Sequence, residues 1–234
     1  MLFYTCTLGA CAHRGKKTII LLKVNPEKPD QKTVDLAAGV IKEGGIIIYP
    51  TDTVYGIGTN VLRPQSVLKV FEIKSRPLTE PMPVAVSGLD MANELAFIPK
   101  NARKLIGSFW PGALTVILRK KPTVPFEATG GGNYVGLRAP NHAVPLAIIK
   151  RSGLPLIATS ANKHGGPSPV TAGEALKQVG EKVDLCLDAG RTEIQRPSTV
   201  LDLTKSPPVI LRIGIVSVGA IQKIFGEVKV QPIP

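Results

Sequence analysis

Four kinds of stretch in this 234-residue chain combine residue types that could hold anions or steer a nucleophile. The first is Tyr49-Pro50-Thr51-Asp52-Thr53-Val54-Tyr55-Gly56, which closes the apolar run from Ile46 to Tyr49. Hydroxyls at the carboxyl end of a strand lie where open α/β sheets take their ligands, although the same residues also spell an ordinary Pro-Thr-Asp turn. The second, Lys74-Ser75-Arg76-Pro77, puts two cations two residues apart at a helix end, where a break in the helix would turn both toward one anion. Its plainer reading is a solvated pair complementing the helix dipole. Third, Thr159-Ser160-Ala161-Asn162 follows the apolar residues Leu156 to Ala158, and its Ser and Asn side chains offer a donor and an acceptor to phosphate oxygens or an adenine edge. In isolation it reads equally as an N-cap or an Asx turn. Fourth, Gly136-Leu137-Arg138-Ala139-Pro140 and Leu211-Arg212-Ile213-Gly214 each end a strand on an arginine. The planar guanidinium matches phosphate or carboxylate, but a lone strand-end arginine is more often half of a surface ion pair.

Other chemistries lack their residues. No GxxxxGK[ST] loop is present and no GxGxxG opens a helix, which disfavours P-loop kinases and Rossmann dehydrogenases. Gly130-Gly131-Gly132 follows Phe126-Glu127-Ala128-Thr129 in a loop and reads as a flexible segment. Neither GxSxG nor a Ser-His-Asp ordering supports a hydrolase. His13, His142 and His164 are isolated from one another, and Cys6, Cys11 and Cys186 form no CxxC pair, so a structural metal is not expected and a reducing compartment is. With 29 Lys and Arg against 17 Asp and Glu, the net charge of +12 points to phosphate-rich partners. At 44% hydrophobic and 20% charged residues the chain is neither disordered nor an integral membrane protein by composition.

The elements that must carry these residues alternate. Thr18 to Val24 reads as a strand, and Gln31 to Glu43 places Val34, Ala37, Ala38 and Ile41 on one helical face before the stop at Gly44-Gly45. A buried strand, Ile46 to Tyr49, follows. Pro64 suits the first position of a helix whose Val67, Val70, Phe71 and Lys74 share a face and which ends near Arg76-Pro77. Further strands are expected at Val84 to Ser87, Leu114 to Arg119, Tyr134 to Arg138, Leu156 to Thr159, Asp184 to Asp188, Thr199 to Leu203 and Val209 to Ile213. Helices are expected near Asn101 to Ser108, His142 to Arg151, Thr171 to Val179 and Val216 to Phe225. This pattern predicts one α/β domain at 18–226: a twisted, open, mixed sheet flanked by helices. Residues 227–234 read as a tail. Residues 1–17 read as a poorly ordered leader: Leu8-Gly9-Ala10-Cys11 imitates an export box, but the basic run His13-Arg14-Gly15-Lys16-Lys17 comes after it rather than before, so a cytoplasmic location is expected.

Taken in order, the stretches say more than they do singly. Pro50 to Gly56, Lys74 to Pro77, Trp110-Pro111-Gly112-Ala113-Leu114-Thr115, Gly136 to Pro140, Ser160-Ala161-Asn162, Pro197-Ser198-Thr199-Val200 and Leu211 to Gly214 together resemble the YrdC-like family, the threonylcarbamoyl-AMP synthases, from about Gln31 to Phe225. The pairing of KxR with SxN is highly specific for that family. The resemblance implies a large basic cavity and an enzyme that joins L-threonine, bicarbonate or CO2 and ATP into threonylcarbamoyl-AMP, releasing diphosphate, for threonylcarbamoyl modification of tRNA adenosine next to the anticodon. It implies Lys74 and Arg76 as the catalytic phosphate clamp. Thr51, Arg138 and Ser198 would contact threonine or its carbamate; Ser160, Asn162, Ser168 and Arg212, with the clamp, would contact the nucleotide. Mg2+ would accompany ATP, a downstream threonylcarbamoyl-transferase complex would be the partner, tRNA would be bound weakly, and no membrane is involved. Two departures stand out. Longer members carry a histidine shortly after KxR where Pro81-Met82-Pro83-Val84-Ala85 stands here, and their extra C-terminal domain has no counterpart in this sequence. The competing reading is a non-catalytic module that binds structured RNA through the same basic cavity, against which the aromatic content of 5% leaves few stacking platforms.

Overall fold

In the computed structural model, which describes residues 19–231, the helical period beginning at Gln31 becomes α1 (Gln31–Lys42). Asp30 caps it, its carboxylate accepting the Thr33 N–H at 2.9 Å. The described residues open with β1 (Ile20–Lys23), shorter than the expected strand, whose first residue, Thr18, lies outside the described residues together with the expected leader, Cys6, Cys11 and His13. After α1 come β2 (Ile47–Tyr49) and β3 (Gly56–Gly58), then α2 (Pro64–Lys74) with Pro64 at its start. The middle of the chain supplies β4 (Val84–Ala85), α3 (Leu89–Leu95), β5 (Ala96–Phe97), α4 (Lys100–Phe109), β6 (Leu114–Lys120) and β7 (Tyr134–Arg138). Next are α5 (Ala143–Ser152), β8 (Leu156–Ile157), β9 (Thr159–Ser160), α6 (Ala172–Val179) and β10 (Leu185–Asp188). The last elements are β11 (Thr199–Asp202), β12 (Val209–Arg212), α7 (Val218–Phe225) and β13 (Lys229–Val230).

The strands form two mixed sheets. One runs β1-β10-β2-β3-β9, with parallel pairing from β1 to β2 and antiparallel pairing beyond; the other runs β13-β12-β11-β6-β7-β4-β8, with β5 also on β6. In the first sheet the parallel strands are apolar on both faces, as burial between layers requires. Ile47, Tyr49, Leu185 and Leu187 pack under α1 and α5, whereas Ile48 and Cys186 face the larger core shared with the second sheet. The segment expected as one strand, Leu156 to Thr159, crosses from sheet to sheet: β8 pairs with β4, and two residues later β9 pairs with β3. That crossing holds Ser160 between the sheets. The expected tail is partly built in, since β13 pairs with β12 and Val228 is buried.

Three short elements escape the sequence pattern, the first for a steric reason. β3 is Gly-Ile-Gly because it passes the Tyr49 ring: a Cβ on Gly58 would stand 2.6 Å from the Ile157 carbonyl oxygen and 2.7 Å from the ring. Glycine leaves no side-chain period to read. β5 and β9 are two residues long, below the length at which alternation shows.

Candidate active site

The Pro50-to-Gly56 stretch turns back on itself between β2 and β3. Thr51 Oγ1 donates to the Val54 carbonyl at 2.7 Å and accepts the N–H groups of Thr53 and Val54 at 3.1 and 3.2 Å, while lying 2.9 Å from Thr53 Oγ1. The turn reading and the site reading are thus both true of Thr51, whose hydroxyl closes the turn while the residue lines a cavity of about 320 Å³. Asp52, 4% exposed, and Thr53 fix Arg138, which projects from the end of β7. Arg138 Nη2 lies 2.5 Å from Asp52 Oδ1, Nη1 donates to Thr53 Oγ1 at 2.8 Å, and Nε donates to the Gly112 carbonyl at 2.9 Å. A guanidinium has five N–H donors; three are spent on orientation and two remain for a ligand.

Across the same cavity, Arg212 at the end of β12 donates through Nε to the Ser198 carbonyl at 3.0 Å and through Nη2 to Ser198 Oγ at 3.2 Å. Ser198 Oγ lies 2.9 Å from Thr115 Oγ1 on β6. Burial, reinforced by repulsion from Arg138, pulls the Arg212 guanidinium below its ordinary value. Two cations that destabilise one another make a place where an anion is favoured. The packing that sets Arg212 is close: a Cβ on Gly214 would stand 2.4 Å from three backbone atoms, Pro197 O, Ser198 C and Thr199 N.

The helix break expected after Lys74 is present, because Ser75 takes the left-handed conformation at φ 53°. It does not turn both cations toward one point. Arg76 reaches the cavity wall, its Nε and Nη2 donating to the Glu80 and Pro81 carbonyls at 3.1 Å each, with an ion pair to Glu80 at 3.2 Å. Lys74 goes the other way. It is 1% exposed, and its Nζ donates to the carbonyls of Ser160 at 2.5 Å and Asn162 at 2.6 Å, with Asn162 Oδ1 at 3.4 Å. Burial, with repulsion from Arg76 and Lys163, brings its pKa down to about 7. Asn162 is equally internal: Nδ2 donates to the Lys163 and Gly166 carbonyls at 2.9 and 2.6 Å, and Oδ1 accepts from Ser160 Oγ.

The fold therefore brings Thr51, Arg76, Arg138, Ser160, Ser168, Ser198 and Arg212 to one wall and sets Lys74 and Asn162 behind it, as braces of the loop that presents Ser160. Ala85, at the place of the absent histidine, is also on the wall. Asp52, Thr53 and Thr115 are functional neighbours that the motifs contain but that sequence reasoning did not single out; the signal for Asp52 was an acid beside hydroxyls, without a visible partner 86 residues away. The wall carries no carboxylate among the described residues.

Comparison with known proteins identifies the family. The Sua5/YciO/YrdC family model, described as telomere recombination, matches residues 39–214. A Pyrococcus abyssi protein named threonylcarbamoyl-AMP synthase is 39% identical over 88% of this chain and 61% of its own length, and a Bacillus subtilis protein of the same name is 37% identical over 83% of this chain and 57% of its own. The chain thus spans about three fifths of the length of these relatives. The crystal structure of P. abyssi Sua5 complexed with L-threonine superposes with a TM-score of 0.88 at 39% identity, over 91% of this chain and 63% of that one. With a family model covering its central 176 residues and the predicted motifs gathered on one cavity, the chain belongs to the Sua5/YciO/YrdC family.

Proposed function

We propose that the chain condenses L-threonine, bicarbonate or CO2 and ATP into L-threonylcarbamoyl-AMP with release of diphosphate, the product serving threonylcarbamoyl modification of tRNA adenosine next to the anticodon in the cytoplasm. The observation that carries this reading is the convergence of Arg76, Arg138 and Arg212 on one cavity whose wall has hydroxyls but no carboxylate among the described residues. The names of the relatives, and the threonine complex of one of them, support the same chemistry.

In this reading the threonine amine adds to the carbon of CO2, loses a proton and becomes a carbamate; a carbamate oxygen then attacks the α-phosphorus of ATP, and the bond to the β-phosphate breaks as diphosphate leaves. Nucleophile and electrophile are both anionic, so cationic positioning is what the protein must supply. Arg138, held by Asp52, Thr53 and Gly112, takes the carboxylate side of threonine, next to Thr51 and Ser198. Arg76 and Arg212 take the phosphates, and Ser160 and Ser168 the nucleotide. Lys74 and Asn162 serve the nucleotide side by fixing Ser160 from behind.

Mg2+ would arrive on ATP, where it would neutralise phosphate charge. The hydroxyls of Thr51, Ser160, Ser168 and Ser198 on the wall fit an ion carried by the nucleotide, because Mg2+ takes oxygen ligands. The test is diphosphate release in mixtures lacking one component at a time. Release should fall to background without L-threonine or without bicarbonate after degassing; equal release in either mixture contradicts the reading. Serine should be a poorer substrate by roughly 1–3 kcal/mol in kcat/KM, because it lacks the methyl group that the pocket would pack.

A further inference from the structure

Arg138 and Arg76 each carry a carboxylate of their own, and the two carboxylates differ in burial. Asp52 is sealed against Arg138, whereas Glu80, which reaches Arg76 from outside the cavity wall, is 41% exposed and free to turn. Glu80 is not needed to aim the Arg76 guanidinium. Nε donates to the Glu80 main-chain carbonyl and Nη2 to that of Pro81, both at 3.1 Å, so two backbone acceptors already fix its plane. What the carboxylate adds, with Oε2 at 3.2 Å from Nη2, is charge. Burial pulls the guanidinium below its ordinary value and Glu80 works the other way, favouring the cation. An anion already seated there weakens the attraction for the next one, and it takes one prong of the two-pronged grip that arginine offers a phosphate.

The same carboxylate has a second partner. Its Oε1 lies 3.5 Å from His164 Nε2, an ion pair whenever the ring is protonated. His164 belongs to the loop between β9 and α6, which also brings Ser168 to the cavity, and the end of α2 holds that loop in place. The His164 N–H donates to the Lys74 carbonyl at 2.7 Å, and Lys163 Nζ donates to the Ile73 carbonyl at 2.6 Å. Glu80 therefore bridges the loop after α2 and the loop after β9, both of which supply residues to the cavity. The other charges at this place are mostly cations: Arg76 and Lys163 both repel Lys74, and Glu72 acts on Lys163.

We propose that Glu80 is a positioning residue that keeps Arg76 occupied until a nucleotide arrives, and then passes to His164 as a phosphate takes its place on the guanidinium. The inference rests on the proposed function only in that Arg76 receives phosphate. No covalent bond forms or breaks; one carboxylate exchanges one cation for another across a gap already spanned in the ligand-free chain. The exchange ties phosphate affinity to the charge on His164, because a protonated ring holds the displaced carboxylate and a neutral one does not.

The test is calorimetric titration with ATP, with inorganic triphosphate and, as control, with L-threonine, at constant ionic strength and at pH 6 and pH 8. Glu80→Gln keeps the shape and both backbone bonds of Arg76 while removing the charge. It should tighten both phosphate probes about two- to fivefold at pH 8, the range expected for a half-exposed ion pair, and leave the L-threonine midpoint and the Tm as in the parent. His164→Gln should weaken ATP binding more at pH 6, in the range where imidazole side chains charge, than at pH 8. Comparison with the parent at the same pH cancels the titration of ATP itself. In the Glu80→Gln background the same substitution should change the ATP midpoint little, since no carboxylate is left to hand over. Phosphate binding unchanged or weakened by Glu80→Gln, or a His164→Gln effect equal in both backgrounds, would overturn the exchange. These titrations need no turnover. Tightening in Glu80→Gln without threonine-dependent diphosphate release would support the exchange and contradict the proposed reaction, and unchanged binding with normal release would do the reverse.

Discussion

Lys74 and Arg76 are two residues apart and do different work, so their alanine variants should separate. Lys74→Ala removes the donor of three hydrogen bonds and leaves two carbonyls, of Ser160 and Asn162, without it. Leaving buried acceptors unsatisfied costs about 1–3 kcal/mol each, so this variant should unfold earlier in urea by about 3 kcal/mol and lose activity because Ser160 moves. Arg76→Ala gives up an ion pair to Glu80, which is 41% exposed, and hydrogen bonds to the Glu80 and Pro81 carbonyls, which are not fully buried and can turn to water, so it should cost less than Lys74→Ala, about 1 kcal/mol, while abolishing diphosphate release. Equal stability of the two variants would contradict the bracing role of Lys74. The lysine also carries a pH signature. Its pKa is about 7 in the fold against 10.5 for a free lysine side chain, so between these limits the unfolded chain binds the extra proton and stability rises with pH. Lys74→Met should remove that rise, so that the difference between parent and variant grows by up to about 1.4 kcal/mol per pH unit from pH 7 to 9. A pH-independent difference would place the Lys74 pKa well above this range. The burial of Lys74 was legible in the sequence, since the period that puts Val67, Val70 and Phe71 inward includes it; its acceptors, 86 and 88 residues away, were not.

At the scale of elements, α2 positions both cations by burying Phe71, which is 1% exposed. Phe71→Ala should cost roughly 3–5 kcal/mol, seen as a shifted denaturation midpoint, with activity per folded molecule largely kept; a loss below about 1 kcal/mol would mean that the helix is not anchored there. Gly214 makes the opposite demand. A methyl group at this position meets backbone on three atoms at 2.4 Å, so Gly214→Ala should cost about 3 kcal/mol and also lower kcat per folded molecule, because the backbone it displaces carries Ser198, the hydrogen-bond partner of Arg212. Unchanged activity in the folded variant would detach this glycine from the site. Elements with a period of their own, such as α1 with its Asp30 cap or α2 with Pro64, can be read from the residues to within one or two positions. The β8-to-β9 crossing cannot, because Leu156 to Thr159 reads as one strand whose division between sheets depends on partners at Val84 and Gly56. The arginines of the site were found by type and motif; the convergence of Arg138 and Arg212 is a property of the second sheet, where β7, β6, β11 and β12 stand side by side, and Arg76 is brought in by the turn after α2.

For the whole molecule, the net charge of +12 admits both a nucleotide enzyme and an RNA binder, and the distribution of that charge separates them. Arg76 and Arg138 are half-buried and Arg212, though exposed, is held by Ser198, so ATP, with only three phosphates to gather, should lose little affinity to salt, whereas tRNA, bound through many phosphates on the surface, should dissociate steeply as salt rises. Parallel ATP and tRNA titrations at low and near-physiological salt check this; tight tRNA binding at physiological salt with no ATP affinity would favour the RNA module. Among the described residues no helix is long and apolar enough to cross a membrane. The central claim is that three arginines on one wall join a carbamate to the α-phosphate of ATP, and it is tested most directly with 14C-bicarbonate, L-threonine, ATP and Mg2+. The account predicts label in a threonine-containing mixed carbamic–phosphoric anhydride of AMP, formed in equal amount to diphosphate and abolished by Arg138→Gln. Diphosphate release with no label in the adenylate, or label undiminished in Arg138→Gln, would contradict it.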